Sequence, residues 1–352
     1  MKQTGRNMSY AGGNVYIGID VHKKTYSVTA ISEGDVVRRD TMQARPEALA
    51  SYMRNHFKGA SVRSAYEAGF SGFALHRTLA AAGIENIVVN PASIEVAAND
   101  KVKTDRRDSR KQAEQLSRGA MSGIYIPTEN EELGRCLSRG REQVVRNRAA
   151  VSMQIKGKLH YWGLMPFDDN RVVTESYLKE LEGRELPAEL SFVLRILASQ
   201  WRTLTEHIKS IEEKLVEQAA GDEYVERIYR SVPGIGPISS RVLSNELGDL
   251  SKRFANERAL ASFTGLTPSE HSSGDKIRKG HISRQGSARI RKCLVEIAWR
   301  AIKIDPALGE VFMRIARTRG KKRAIVAIAR KLIIRIRACF RQICVYQYGV
   351  GV

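Results

Sequence analysis

The sequence predicts a mixed α/β region at the N-terminus followed by an all-α remainder, in a chain of 352 residues. Over about the first 125 residues, short β-rich apolar runs alternate with segments of helical spacing. After them come long stretches of helical periodicity with few glycines. The length suits two or three domains, and an apolar content of 42% excludes a wholly disordered chain.

The N-terminal region opens with three strands and then alternates helix and strand. The predicted strands are 15–21, 25–31, 35–42, 62–66 and 87–89. The predicted helices are 46–57, 71–82 and 104–118. This element order is typical of an RNase H-like fold, which we expect over residues 1–128.

The central region, residues 129–228, is predicted to be helical. Between Leu190 and Gln218 the apolar residues recur at spacings of three and four, which describes a single apolar stripe. The stripe comprises Val193, Leu194, Leu197, Trp201, Leu204, Ile208, Ile211 and Leu215. Such a stripe indicates a coiled coil or a long helical hairpin, a spacer that also brings copies of the chain together.

The third region, residues 229–352, begins with a glycine-rich turn. Residues 232–237 read Val-Pro-Gly-Ile-Gly-Pro and precede a helix over 239–247, as in a helix-hairpin-helix element. Gly234 and Gly236 would then allow a phosphate to approach the helix N-terminus. A plain helix–helix turn is the alternative. Further helices are predicted around 288–304 and 321–345.

The net charge of +20 points to a polyanionic partner, and it is unevenly distributed. Residues 276–352 contain 20 basic and 3 acidic residues, a net charge of +17. Cations interrupt the apolar stretch 324–350, so it predicts a basic amphipathic helix and no membrane partner. The four cysteines form no ligand cluster and the first residues lack an apolar signal core, which indicates a cytoplasmic protein.

Four carboxylates stand where a metal site could form. Asp20 and Glu67 each end an apolar strand, and Asp105 and Asp108 share one face at a helix start. Carboxylates brought together repel one another unless cations occupy the site, and hard oxygen ligands select Mg²⁺ or Mn²⁺. Taken singly, each residue could equally be a turn, a cap or a helix N-terminal charge.

A serine- and glycine-rich segment, residues 265–286, offers a hydroxyl among cations. Ser273 precedes Gly274, and the cations that follow could hold a phosphate. These cations are Lys276, Arg278, Lys279 and Arg284. An unactivated serine is a poor nucleophile, so a metal or a base must assist it. A solvated basic loop is the alternative, and Ser272, His281 and Ser283 are further candidates.

These motifs together resemble the DEDD-type transposases of the insertion-sequence 110 family. The N-terminal segments that carry the resemblance are 16–23, 66–69, 89–91 and 103–108. The C-terminal segments are 232–236, 260–268, 273–274 and 280–286. They occur in the family's order and span most of the chain, while the central helices match only in type.

The resemblance implies a RuvC-like domain, a coiled-coil insertion and a C-terminal transposase domain. It implies that Asp20, Glu67, Asp105 and Asp108 form an acidic tetrad holding Mg²⁺, and that a serine is catalytic. That serine corresponds to Ser273, with Ser272 adjacent. Ser109 stands where relatives commonly have alanine, a change expected to have no effect.

The activity implied is a recombination of donor and target double-stranded DNA. Ser273 would attack the scissile phosphate and form a phosphoserine link, and a noncoding RNA from the element's flank would pair with both DNAs. A homo-oligomer, a dimer or a tetramer, would act in a bacterial or archaeal cytoplasm. Two alternatives stay open: a RuvC-like endonuclease that uses water, and a non-catalytic nucleic-acid-binding protein.

Overall fold

A computed structural model of the chain describes residues 10–94, 105–166, 169–270 and 279–349. The chain divides into two compact units, the first ending at Ile126 and the second beginning at Pro127.

The first unit is built on a five-stranded mixed sheet. Its strands are β1 (Asn14–Val21), β2 (Thr25–Ser32), β3 (Asp35–Gln43), β4 (Ser61–Glu67) and β5 (Glu85–Val89). Their spatial order is β3-β2-β1-β4-β5. β2 is antiparallel to both of its neighbours, whereas β1, β4 and β5 run parallel. The three parallel strands therefore end at the same edge of the sheet.

Helices cover the sheet on both faces. They are α1 (Pro46–His56), α2 (Ala74–Ala81) and α3 (Asp105–Ser117). Val15, Ile17 and Ile19 of β1 are fully buried in a core shared with residues of α1 and α2. Successive side chains of a strand point to opposite faces. The intervening Gly18 lies against the third helix, α3, which packs on β1, β2 and β4.

Every element predicted in the N-terminal region is present. The largest difference in bounds is at α2, which begins at Ala74 instead of residue 71. A mixed α/β unit with a central sheet is thus confirmed, and its elements follow one another along the chain in the order expected of an RNase H-like fold.

The second unit is mainly helical. Its helices are α4 (Glu129–Tyr161), α5 (Glu175–Glu182), α6 (Ala188–Ala219), α7 (Glu223–Arg230), α8 (Pro237–Leu247), α9 (Leu250–Arg253), α10 (Glu257–Thr264), α11 (Ala288–Ile304), α12 (Pro306–Arg319) and α13 (Lys321–Gln342). The predicted stripe on α6 packs along α4, and these two helices have 32 and 33 residues. A capping box of Thr128 and Glu131 starts α4.

Two separate hydrophobic cores lie within this second unit. One joins α4, α5 and α6 and includes Ile155, Leu159 and Trp201. The other gathers the helices from α7 onward and includes Tyr229 and Phe340. The domain boundary predicted between residues 228 and 229 falls inside α7, close to where these two cores separate. The division of the chain into three domains stays a prediction. No helix in the described ranges has the length and apolar character needed to cross a bilayer.

Several features of the second unit were not predicted, among them the helices α9 and α10. A short antiparallel hairpin pairs β6 (Pro268–Glu270) with β7 (Lys279–Ile282), where the sequence predicted only a loop. The helix α12 begins at Pro306, directly after the cap residue Asp305, whose side chain accepts a hydrogen bond from the Ala307 amide. An Asp-Pro pair is a helix-start signal that could have located it.

Candidate functional site at the sheet edge

Two of the predicted carboxylates end neighbouring parallel strands. Asp20 lies near the end of β1, and Glu67 is the last residue of β4. Because Ile19 pairs with Tyr66, Asp20 and Glu67 occupy the next position on the two strands. The sheet therefore carries both residues to the same edge.

Both carboxylates also share a face of the sheet. Gly18 pairs with Ala65 of β4, and side chains alternate along each strand. Asp20 and Glu67, two residues beyond this pair, consequently lie on the face against which α3 packs. The predicted acidic helix and the predicted acidic strand ends thus belong to one side of the fold.

The close approach of α3 to β1 depends on Gly18. A Cβ atom added at this glycine would lie 1.9 Å from the carbonyl oxygen of Ser109 and 2.6 Å from the amide nitrogen of Ala113. Both neighbours are helix backbone, which cannot move aside as a flexible side chain would. Only glycine permits the observed distance between helix and strand.

A buried hydrogen bond joins α3 to β2 beside this contact. The hydroxyls of Ser109 and Thr29 are 2.9 Å apart, and both residues are almost fully buried. Alanine at position 109 would leave the Thr29 hydroxyl without this partner. We therefore expect serine here to contribute to stability, where the sequence predicted no effect, because an unsatisfied buried hydroxyl costs free energy.

Gln112, which the sequence did not single out, connects α3 to Glu67. Its Nε2 donates to Glu67 Oε1 at 3.3 Å, and only 1% of the residue is exposed. Its own Oε1 is buried and accepts no hydrogen bond from the described residues. Gln112 follows Asp108 by four residues and Asp105 by seven, so all three share a helix face. That spacing was the available signal.

His22, to which the sequence analysis assigned no role, lies beside Asp20. Asp20 Oδ2 is 3.1 Å from Nε2 of His22, and the aspartate side chain is 20% exposed. The carboxylate is therefore partly open to solvent, as a group that receives a ligand must be.

Asp108 is half-buried on α3, whereas the side chain of Asp105, the first residue of that helix, lies outside the described residues. Among the described side chains, no three of His, Cys, Asp and Glu come together as a metal site. The oxygen donors at the edge suit a hard cation in kind. The buried, unpartnered Oε1 of Gln112 adds a further acceptor beside Glu67.

The predicted serine falls between β6 and β7. Ser272, Ser273, Lys276 and Arg278 lie outside the described residues, as does the side chain of Lys279. Ser283, His281 and Arg284 lie within or just after β7, and all three are exposed. Arg284 has a left-handed backbone, with φ of 55°.

The glycine-rich turn joins α7 to α8, as predicted, and its two glycines have different surroundings. Gly234 has φ of 84°, and an added Cβ would lie 2.8 Å from Cβ of Arg300 on α11. Close helix packing thus explains Gly234. No described atom lies within 4 Å of a Cβ added at Gly236, so the space at the start of α8 is open there.

Gly234 lines a cavity of about 280 Å³ between α4, α8 and α11. Four cations line it, of which Arg141 pairs with Glu212 at 2.6 Å and Arg289 pairs with Glu142. The other two cations, Lys292 and Arg300, are exposed and make no ion pair with the described residues.

A thiol also lines this cavity. Burial raises the pKa of Cys293 to about 12. Burial therefore disfavours the thiolate, which is the form of cysteine that acts as a nucleophile.

The C-terminal cations divide into buried and exposed groups. Arg337 is 5% exposed and donates from Nη2 to the carbonyls of Phe254 and Ala255, each at 2.9 Å. Arg335 pairs with the fully buried Asp305 at 3.2 Å. Part of the +17 is therefore not available to a polyanionic partner, because these cations neutralise or bond groups of the interior.

Two family models match the chain. One, for transposases of the DEDD type, matches residues 17–162, which contain the sheet edge and α3. The other, described as "Transposase IS116/IS110/IS902 family", matches residues 226–312, which contain the glycine-rich turn and the β6–β7 hairpin. Together the two matched ranges span more than half of the chain. Transposases of the DEDD type typically use divalent metal ions.

Named transposases are similar over most of their length. The transposase of insertion sequence element IS1111A from Coxiella burnetii is 28% identical, with 90% of this chain and 86% of the relative aligned. The transposase of element IS1533 from Leptospira borgpetersenii is 25% identical, with 94% of this chain and 96% of the relative aligned. The transposase of element IS1328 from Yersinia enterocolitica is 32% identical, with 56% of this chain and 58% of the relative aligned.

The two matched ranges contain the structural features described above: the sheet edge in the first, and the glycine-rich turn and the hairpin in the second. The carboxylates at the sheet edge lie inside the first matched range, and Ser273 lies inside the second. The chain belongs to the IS110 family of insertion-sequence transposases and is a DNA transposase.

Proposed function

We propose that this transposase cuts and rejoins donor and target double-stranded DNA through a serine nucleophile assisted by Mg²⁺. The observation that supports the proposal best is the shared sheet edge, where Asp20 and Glu67 end adjacent parallel strands beneath α3. Carboxylates in that arrangement suit phosphoryl transfer, in which developing negative charge must be stabilised.

The metal would be held by Asp20, Glu67, Asp105 and Asp108. Bound there, Mg²⁺, or Mn²⁺ in its place, would polarise the scissile phosphate and stabilise the charge on the attacking and leaving oxygens. Gln112 would orient Glu67 through the hydrogen bond from Nε2. Gly18 would keep α3 close enough to β1 for the helix carboxylates to reach the edge.

Ser273 is the proposed nucleophile, with Ser272 as the neighbouring alternative. Its Oγ would form a bond to phosphorus as the bond from phosphorus to one DNA oxygen breaks. The serine proton leaves to a base, and the released DNA oxygen takes a proton. In the second step a DNA hydroxyl attacks the phosphoserine and releases the serine. Each step forms one phosphate ester bond as another breaks, so the strands are rejoined without ATP.

Sequence-independent contacts to phosphates would come from the second unit. The proposed contacts are Gly234, Gly236, Lys276, Arg278, Lys279 and Arg284. The open space at Gly236 and the exposed Lys292 and Arg300 in the adjoining cavity support a phosphate near the start of α8. We propose that a noncoding RNA from the element's flank supplies sequence specificity by base pairing with both DNAs.

The central helices are proposed to join copies of the chain into a dimer or tetramer. Several large apolar side chains on α4 and α6 are exposed, among them Met153 at 70%, Phe192 at 66% and Ile196 at 50%. Phe192 and Ile196 are one turn apart on α6, so they share a face. A second copy is the expected cover for this face.

Covalent capture tests the proposal. The purified chain, its flanking RNA, Mg²⁺ and labelled donor and target DNAs are combined and separated on a denaturing gel. We expect a protein–DNA adduct that is present in the wild type and with Ser272→Ala and is absent with Ser273→Ala. An adduct that disappears only with Ser272→Ala would move the nucleophile by one residue.

The endonuclease alternative gives a different pattern in the same gel. Cleaved DNA without an adduct, unaffected by either serine substitution, would contradict the serine mechanism and leave water as the nucleophile. DNA binding with no cleavage under any metal condition would contradict both enzyme mechanisms.

A further inference from the structure

The turn between α12 and α13 carries an exposed cluster of cations. The ten residues from Arg314 to Arg323 contain six basic residues and no acidic one. We name this cluster the basic turn; its cations are Arg314, Arg317, Arg319, Lys321, Lys322 and Arg323. All six are exposed, and none makes an ion pair with any residue in the described ranges.

Other cations of the same region are used within the protein. Arg335 and Arg337 on α13 bond to Asp305 and to backbone carbonyls, and Arg289 on α11 bonds to Glu142 and Glu246. Within the described residues, the basic turn is therefore a part of the C-terminal charge that is both concentrated and available to a partner.

The half of the basic turn that lies at the start of α13 is also electrostatically unfavourable for the protein alone. Three of its cations occupy the first turn of α13, where the helix dipole favours negative charge. That turn contains no acidic residue, and Gly320 at its start provides no side-chain hydrogen bond. Repulsion among six neighbouring cations adds to this cost, which an anionic ligand would offset.

We propose that the basic turn binds the phosphate backbone of duplex DNA without sequence preference. This rests on the proposed DNA recombination for its choice of DNA. Proteins that hold single strands commonly stack bases on aromatic side chains, and the segment from Arg314 to Arg323 contains no aromatic residue. Cations without stacking groups suit the evenly spaced phosphates of a duplex.

The test is equilibrium binding of a labelled DNA duplex to the full chain across a salt series in EDTA. The variant is Lys321→Gln, Lys322→Gln and Arg323→Gln combined. Each phosphate interaction that the variant removes lowers the magnitude of the slope of log K against log salt by about 0.9. At about 0.1 M salt, affinity falls by roughly tenfold for each of these interactions. The thermal midpoint should not fall, because the neutralised cations oppose the α13 dipole.

A matched control removes three exposed cations from the first unit. Arg39→Gln, Arg54→Gln and Lys58→Gln combined change the net charge by the same amount, and these three side chains are also exposed. We expect this control to keep the wild-type slope. An equal decrease in both variants would show a net-charge effect and would overturn the proposal.

Two further results would also overturn it. One is an unchanged slope in the basic-turn variant. The other is a slope that changes for duplex RNA and stays unchanged for duplex DNA. Because binding is measured in EDTA, a failure of the proposed serine chemistry leaves this test intact, and the adduct assay at saturating DNA reports on that chemistry separately.

Discussion

The two units hold their charged groups in different ways. In the first unit a few carboxylates share one sheet edge, and their placement depends on a helix packed against a glycine backbone. In the second unit many cations are spread over helices, some bonded to the interior and some exposed. Position therefore matters most in the first unit, whereas exposure decides which charges of the second unit can meet a partner.

The largest effect is expected from a carboxylate of the first unit. Glu67→Gln keeps an acceptor for Gln112 but removes the negative charge, so cleavage should fall roughly 10³-fold if several kcal/mol of charge stabilisation are removed. Glu85→Gln is the control, because Glu85 lies on the adjacent β5, is exposed and forms a surface ion pair with Arg63. The rates of strand cleavage by the two variants are compared. Equal rates would contradict a metal-binding role for Glu67.

Gly18→Ala probes the placement of the same carboxylates. The added Cβ would meet backbone atoms of α3, and overpacking of this kind costs about 1–3 kcal/mol or more. Denaturant unfolding should show that destabilisation, together with reduced cleavage. Gly140→Ala in α4 is the matched control, since no described atom lies within 4 Å of its added Cβ and alanine favours a helix. A Gly18→Ala protein as stable as the wild type would refute the close-packing account.

A buried cation of the second unit should behave unlike the basic turn. Arg337→Met leaves the carbonyls of Phe254 and Ala255 without their donor, at a cost of about 1–3 kcal/mol in unfolding free energy. The salt dependence of DNA binding should stay as in the wild type. Arg341→Met, at an exposed position of the same helix, should leave stability nearly unchanged. A reduced salt slope in Arg337→Met would break the distinction between buried and exposed cations.

The smallest effect concerns the link between α3 and β2. Ser109→Ala should lower the unfolding free energy by about 1 kcal/mol, the usual contribution of one such hydrogen bond, with cleavage largely retained. The double variant with Thr29→Val should cost less than the sum of the two single changes. Additive costs would show that the two hydroxyls do not interact.

The fold of the first unit could be predicted because its strands and helices have clear periodicity. Asp20 and Glu67 were identifiable because each lies at the end of an apolar strand. Gln112 was missed, because a buried glutamine acquires a role only through a neighbour 45 residues away. Gly18 was likewise recognised only as part of a strand motif. A glycine is required there because the backbone of α3, which lies far along the chain, packs against it.

In the second unit, sequence patterns located most helices but not the use of their charges. Arg335 and Arg323 are both basic residues of α13, yet one reaches the buried Asp305 and the other is exposed. Only the packing of α13 into the second core separates them. Net charge alone therefore overstated the number of cations that nucleic acid can contact.

The most direct test of this division compares Asp20→Asn with the combined Lys321→Gln, Lys322→Gln and Arg323→Gln variant. DNA affinity across salt and adduct formation at saturating DNA are measured for both proteins. We predict that Asp20→Asn binds with the wild-type salt slope and forms no adduct. The basic-turn variant should bind with a reduced slope and still form the adduct. An adduct formed by Asp20→Asn, or a reduced slope in that variant, would contradict the account.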